Sequence, residues 1–428
     1  MTGTNSLLVT CLARLEWSPE RLAREINKRY GNGTISNKAP YNWLRGSLPR
    51  RHLPHLVAEI LTDQLDEPVT LQALWPQHFD DEPGGRHGAA ADPSALTPPD
   101  VPPSAMGPVN AAVDWLVDNG PTSLSRSAGP EVPPVAIRML TTRIEELRNV
   151  DDICGTRLAM DWALQELHLA RRLAAEHAYD NDTGLRLHRI IAELAQISGW
   201  LACDLGLRER SRSYFLHALA TARTAQDRPL AAYVISCMSY CATWDTRQEE
   251  GLRLIRIAHK GSAREHFGIG HALLATREAR AWARLGDEVG CRRALDQAAD
   301  LNESADPRAD VPWLSWVTPA VMVADAGRSW LDLGYYSKAE ECLVRGIELF
   351  GEGQPRNRML HWASLADARL CRREVDGAAE AAHQALSLAE GMMSQRAHIR
   401  LATVRGKLRR YDGSTARQAV LRINELLG

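Results

Sequence analysis

The sequence contains no run of about 18 uninterrupted apolar residues, and its start lacks a charged segment followed by an apolar stretch. No membrane span or secretion signal is therefore expected, and the protein is read as soluble and cytoplasmic. It also lacks an overall excess of charge: a net charge of -2 and a pI near 6.7 exclude a uniformly basic nucleic-acid coat. Its cysteines, at positions 11, 154, 203, 237, 241, 291, 342 and 371, include no C-x-x-C, which argues against a disulfide framework or a zinc site. Cys237 and Cys241 share a helix face at i, i+4 and read as a buried pair. Strand-like alternation of β-branched residues is almost absent.

Catalytic patterns are missing too. The glycine cluster FGIGHALL (267–274) opens a helix but follows no strand, so it lacks the βα context of a dinucleotide site. No nucleophile motif appears, and His168, His188, His217 and His271 lack metal-ligand spacing. Neither an enzyme, nor a cofactor, nor a metal is expected.

Charge is present but segregated. Between Arg21 and Arg51 stand eight basic residues, Arg21, Arg24, Lys28, Arg29, Lys38, Arg45, Arg50 and Arg51, against the single acid Glu25. This segment lies in a small head, residues 1–79, of short helices. A Pro/Gly/Ala-rich linker, residues 80–134, follows; it cannot bury enough apolar surface to fold alone. Within it AAVDWLVDN reads as a short helix near 110–118 that docks on the body through Val113, Trp115, Leu116 and Val117.

Residues 135–428 are nearly continuous helix, rich in Ala, Leu, Arg and Glu, and they repeat. GWLACDLGLRERSRSYFLHAL (199–219) and GRSWLDLGYYSKAEECLVRGI (327–347) share a glycine, a second glycine seven positions on, and then small, bulky and small residues: Ser211, Phe215, Ala218 against Ala339, Leu343, Gly346. Small residues at these offsets let two antiparallel helices approach closely, and the second glycine supplies the turn. Further copies surround Gly286, run from 361 to 386, and hinge near Asp245. The hinges at 206, 245, 286, 334 and 373 recur about every 40 residues, which predicts stacked helical hairpins with a concave inner face. These repeats resemble tetratricopeptide repeats. The longest interval carries LNESADPRADVPWLSWVTPAV (301–321), read chiefly as a packed loop anchored by Trp313 and Trp316. Trp282, Trp313, Trp316 and Trp330 are the candidate groove contacts for a ligand or partner.

In the head, Ser18 is placed to cap a second helix with Pro19 in its first turn and Leu22, Ala23 and Ile26 facing the core. Ser36 or Asn37 would cap a third helix reaching Arg45, with Pro40 in the first turn, where a missing N–H breaks no bond. Trp43 then points inward, while Lys38, Tyr41, Asn42 and Arg45 are candidates for base contacts and Arg21, Lys28, Arg50 and Arg51 for phosphates. The order I-S-x, W-L-R-G-x-x-P, then L-x-x-L-V-A-E-I-L and L-x-x-L-W over residues 5–76 resembles the Xre (lambda-repressor-like) helix-turn-helix family. The layout of head, linker and degenerate repeats resembles actinomycete regulators of the NsdA type. The resemblance implies a DNA-binding transcriptional regulator, a repressor of differentiation or secondary metabolism. The expected partners are double-stranded DNA, a second copy of the chain, and a small-molecule or peptide effector of the repeat body. The alternative is a repeat scaffold for a protein partner whose head does not read DNA.

Overall fold

The computed structural model describes residues 5–30, 35–49, 53–65, 69, 71–75, 107–117, 123–154, 156–305, 311–389 and 394–427. It is all-α, and among the described residues β structure is limited to isolated bridges. The chain divides into two compact units, residues 1–91 and 92–428.

The first unit holds α1 (Ser6–Arg14), α2 (Pro19–Tyr30), α3 (Ala39–Leu44), α4 (Leu53–Leu65) and α5 (Leu71–Leu74). The expected apolar stripes meet in one core: Leu8, Leu22, Ala23, Ile26, Trp43, Val57, Leu61 and Trp75 are all buried. Asn5 caps α1, its side chain accepting from Leu8 N–H at 3.0 Å, and its own N–H reaches the Leu44 carbonyl at 3.0 Å. Ser18 caps α2 by accepting from Arg21 N–H at 3.2 Å. The third helix differs from expectation. It begins at Ala39 with Lys38 at its cap, and neither Ser36 nor Asn37 caps it through a side chain; the Ser36 carbonyl accepts from Ala39 N–H at 3.0 Å instead. Pro40 sits in the first turn as expected, and Gly46, with φ +88°, ends the helix.

The second unit opens with α6 (Pro108–Val117), α7 (Pro134–Cys154) and α8 (Thr156–Glu176). Hairpins follow: α9 (Asn181–Asp204) with α10 (Arg208–Thr224), α11 (Arg228–Trp244) with α12 (Gln248–Ser262), α13 (Gly270–Leu285) with α14 (Glu288–Glu303), α15 (Pro319–Asp332) with α16 (Tyr336–Phe350), α17 (Pro355–Cys371) with α18 (Val375–Ala389), and α19 (Gln395–Leu408) with α20 (Ser414–Leu427). Each expected hinge carries a left-handed residue at or beside it: Gly206, Thr246, Gly286, Gly334 and Arg373. The last hairpin is one the sequence pattern did not reveal.

The repeated small residues act as expected. A methyl built on Gly199 would lie 2.7 Å from the Phe215 ring, and one on the equivalent Gly327 would lie 2.8 Å from Leu343. Ser211 Oγ donates to the Gly199 carbonyl at 2.8 Å, and Ser239 Oγ to the Gly251 carbonyl at 2.7 Å, so a hydroxyl stitches the close approach in two hairpins. The first helices of successive hairpins pack side by side, α11 on α13, α13 on α15, α15 on α17 and α17 on α19.

Part of the segment read as linker belongs to this unit. Arg126 and Tyr179 exchange backbone hydrogen bonds at 2.9 and 2.8 Å, and α6 packs on α10 and α12. Trp115 lies in the main core with Ala112, its ring where a methyl on Gly261 would be, and Arg228 stacks over it at 4.9 Å. Of the four expected docking residues, Trp115 is buried and Leu116 partly so, but Val113 and Val117 face outward, 41% and 75% exposed. The helical phase turns Ala112 rather than Val113 toward the body. The stretch 80–106 lies outside the described residues.

Candidate functional site

In the head, α3 is held by its own core. Trp43 is 4% exposed, and Asn27 of α2 clasps Ile35 twice, accepting from its N–H and donating to its carbonyl, both at 2.9 Å. With that anchor, Lys38, Tyr41, Asn42 and Arg45 all face solvent. Tyr41 is not free in the way the others are: its hydroxyl donates to Glu20 of α2. That bond holds the Glu20 carboxyl below its ordinary value and raises the Tyr41 phenol. Tyr41 therefore offers a ring edge and a fixed position, while the amide of Asn42 and the guanidinium of Arg45 remain as hydrogen-bonding groups.

Of the residues expected to touch phosphates, Arg21 and Lys28 are exposed on α2, and Arg21 stacks over Trp17 at 5.3 Å. Arg50 and Arg51 lie outside the described residues.

The four candidate groove tryptophans differ in burial and in the groups they touch. Trp313 is 5% exposed, stacked on Tyr233 at 4.9 Å and tilted against Phe267 at 5.9 Å, so it anchors the core as the packed-loop reading expected and offers a ligand little surface. Trp316 lies between two core clusters, with Arg277 over its ring at 5.8 Å. Trp282 donates from Nε1 to Glu278 at 3.1 Å on its own helix, and Trp330 packs edge-on against Tyr335 at 5.7 Å. Trp313 lies in the main core cluster with Trp282 and Trp316 packed against it, and Trp330 packs against the C-terminal cluster.

A different set of residues meets on the inner face. Asp204, fully buried at the end of α9, pairs with Arg356 of α17 at 3.1 Å and with Arg396 of α19, and accepts from Ser394 Oγ at 3.2 Å. Burial pushes its carboxyl up, and the two guanidiniums more than reverse this, holding it below its ordinary value. The Tyr240 hydroxyl accepts from Arg396 at 3.1 Å and Arg328 at 3.4 Å. Burial would raise that phenol, yet Arg328, Arg396 and Arg277 bring it down to about 8. Trp200, Tyr240 and Trp244 alternate with these cations: Arg396 lies 4.6 Å from the Trp200 ring, Arg277 4.3 Å from Tyr240 and Arg400 4.9 Å from Trp244. Asp204 and Arg396 are 192 positions apart, so no local pattern could have announced the cluster.

Cys237 is buried as expected, and Cys241 meets a third cysteine, Cys203, with the two sulfurs 2.9 Å apart as free thiols. Among the described residues no helix is long and apolar enough to cross a membrane.

Residues 8–74, from α1 to α5, match the family model described as the SP15 N-terminal domain. The chain is also similar to the crystal structure of a Signal Transduction ATPase with Numerous Domains that carries a tetratricopeptide repeat sensor, from Pyrococcus horikoshii. The identity is 9%, the likeness covers 96% of this chain and 69% of that one, and the TM-score is 0.32. No curated protein matches. The hairpin architecture stands on this chain's own helices and turns.

Proposed function

We propose that the protein is a sequence-specific DNA-binding transcriptional regulator of the Xre type, with α2 and α3 as its helix-turn-helix and the helical-repeat body as its dimerisation and sensing part. The observation that carries this reading is α3 itself: Trp43 locks the helix into the core while Asn42 and Arg45 project outward beside Lys38. An amide can pair with the N6 and N7 edge of adenine and a guanidinium with the O6 and N7 edge of guanine. Arg21 and Lys28 on α2 supply phosphate contacts that set register without reading sequence.

So short a reading helix offers little interface, and a second copy is the physical route to useful specificity. An apolar stripe on α8 favours that copy as the occupant: Leu158, Trp162 and Leu169 share one face and are 42%, 43% and 46% exposed. Two heads would then read a roughly palindromic site. Repression of differentiation or secondary metabolism is carried by the resemblance to NsdA-type regulators alone.

The test is selection of genomic fragments by the purified full-length protein. Recovered fragments sharing an inverted repeat, and a protein that sediments as a dimer but as a monomer after Trp162→Glu, are expected. Fragments without a common motif would move the function to the repeat body as a partner-binding scaffold.

A further inference from the structure

We propose that a cavity on the inner face of the repeat body binds a small phosphate-bearing metabolite carrying two or more negative charges. The cavity, about 280 Å³, is lined by five guanidiniums, Arg277, Arg280 and Arg284 of α13, Arg328 of α15 and Arg400 of α19, against two carboxylates, Asp332 and Asp367. Both carboxylates are engaged: Asp332 pairs with Arg280 at 2.5 Å and Arg284 at 3.7 Å, and Asp367 pairs with Lys407. Beneath the floor, Asp325 serves Arg328 at 3.0 Å and Arg277 at 3.9 Å. Arg400 has no carboxylate partner among the described residues and rests on the Trp244 ring. Burial, with Arg328 and Arg280 close by, pushes its guanidinium down to about 10.

Donors are also left over. Arg277 and Arg328 are 7% and 4% exposed, and the Nε atoms of both, like that of Arg400, are buried without an acceptor. Buried donors without acceptors and crowded like charges are costly, and an anion in the cavity relieves both costs at once. The excess of guanidiniums over carboxylates sets the ligand's charge at two or more. Its chemistry follows from direction: the forks arrive from three helices, and a tetrahedral phosphate presents oxygens to several of them where a planar carboxylate serves forks in one plane. The volume suits a small molecule and is too little for a folded peptide segment. Such a ligand would tie α13, α15 and α19 together across the superhelix. The inference rests on the body alone and stands independently of the DNA reading.

The test is calorimetric titration of the full-length protein, at constant ionic strength, with inorganic phosphate, pyrophosphate, a nucleoside diphosphate and citrate. Saturable pyrophosphate binding is expected, with a higher melting temperature. Arg400→Gln and the solvent-facing Arg284→Gln should each weaken it about tenfold or more while leaving the far-ultraviolet circular dichroism unchanged. A nucleoside diphosphate that binds more tightly than pyrophosphate identifies a nucleotide as the source, and equal affinity assigns recognition to the phosphates alone. Absent saturable pyrophosphate binding, tighter binding of citrate, or binding indifferent to both substitutions would overturn the proposal.

Discussion

At the scale of single residues, the structure separates groups that hold a helix in place from groups left available to a partner. Asn42 and Arg45 are available, and Asn42→Ala or Arg45→Ala should lose about 1–3 kcal/mol on the cognate DNA with little change on random sequence. Lys28→Ala should weaken both alike and reduce the dependence on salt. Competition titrations against random DNA distinguish the two patterns. On the inner face, Tyr240 should ionise near pH 8 rather than at its ordinary value of 10.0. A spectrophotometric titration should show one early tyrosinate step that disappears in Tyr240→Phe; a titration without that step contradicts the field of Arg328, Arg396 and Arg277 on its hydroxyl. The outward residues of α3 were legible because Trp43 and the proline set the helix phase. The bond from Tyr41 to Glu20 was not, since it joins two helices across a turn whose geometry composition does not specify.

Among the elements, the hairpin turns offer the sharpest comparison between pattern and structure. Gly206, Gly286 and Gly334 occupy the left-handed region that glycine enters freely, which is why a glycine repeat could be read as a hinge repeat. Thr246 and Arg373 take the same conformation at φ +65° without that freedom. Thr246, being β-branched, is the more strained, so Thr246→Gly should leave stability unchanged or raise it by up to ~1 kcal/mol, whereas Gly286→Ala should cost about 1 kcal/mol. Denaturant midpoints of the two variants decide, and the opposite order would show that the turns are not set by backbone conformation. Helix α6 tests the placing of the body's boundary. Trp115→Ala should cost about 3–5 kcal/mol, because it empties a core position against Gly261 and removes the stack with Arg228. A loss below ~1 kcal/mol would return α6 to the linker. Composition read residues 80–134 as a linker because prolines and alanines outnumber the larger apolar side chains there, and the docking expected of its short helix rests on Trp115.

For the molecule as a whole, the inner face joins helices far apart in sequence, and its energetics follow from buried charge. Asp204→Asn leaves Arg356 and Arg396 without their shared carboxylate and should destabilise the body by about 3–5 kcal/mol. Acid should do so as well. Burial lowers His217 to about 4 and His361 to about 3, so both stay neutral in the folded chain while the unfolded chain protonates them near 6.5. Their contribution is complete above pH 6.5 and is lost as the pH falls toward 4, at up to ~1.4 kcal/mol per unit for each. Denaturation midpoints between pH 7 and 5 should fall, and less steeply in His361→Phe. The repeating architecture was readable because each hairpin satisfies itself locally, but the superhelical closure was hidden because Asp204 meets partners that only the winding brings near.

Whether the head reads DNA is decided by titration of a recovered genomic site at two salt concentrations, with the wild type and the Asn42→Ala, Arg45→Ala double variant. A steep loss of affinity with salt, together with a loss confined to the cognate site in the double variant, is the predicted result. Weak, salt-insensitive association that the double variant leaves unchanged would contradict it.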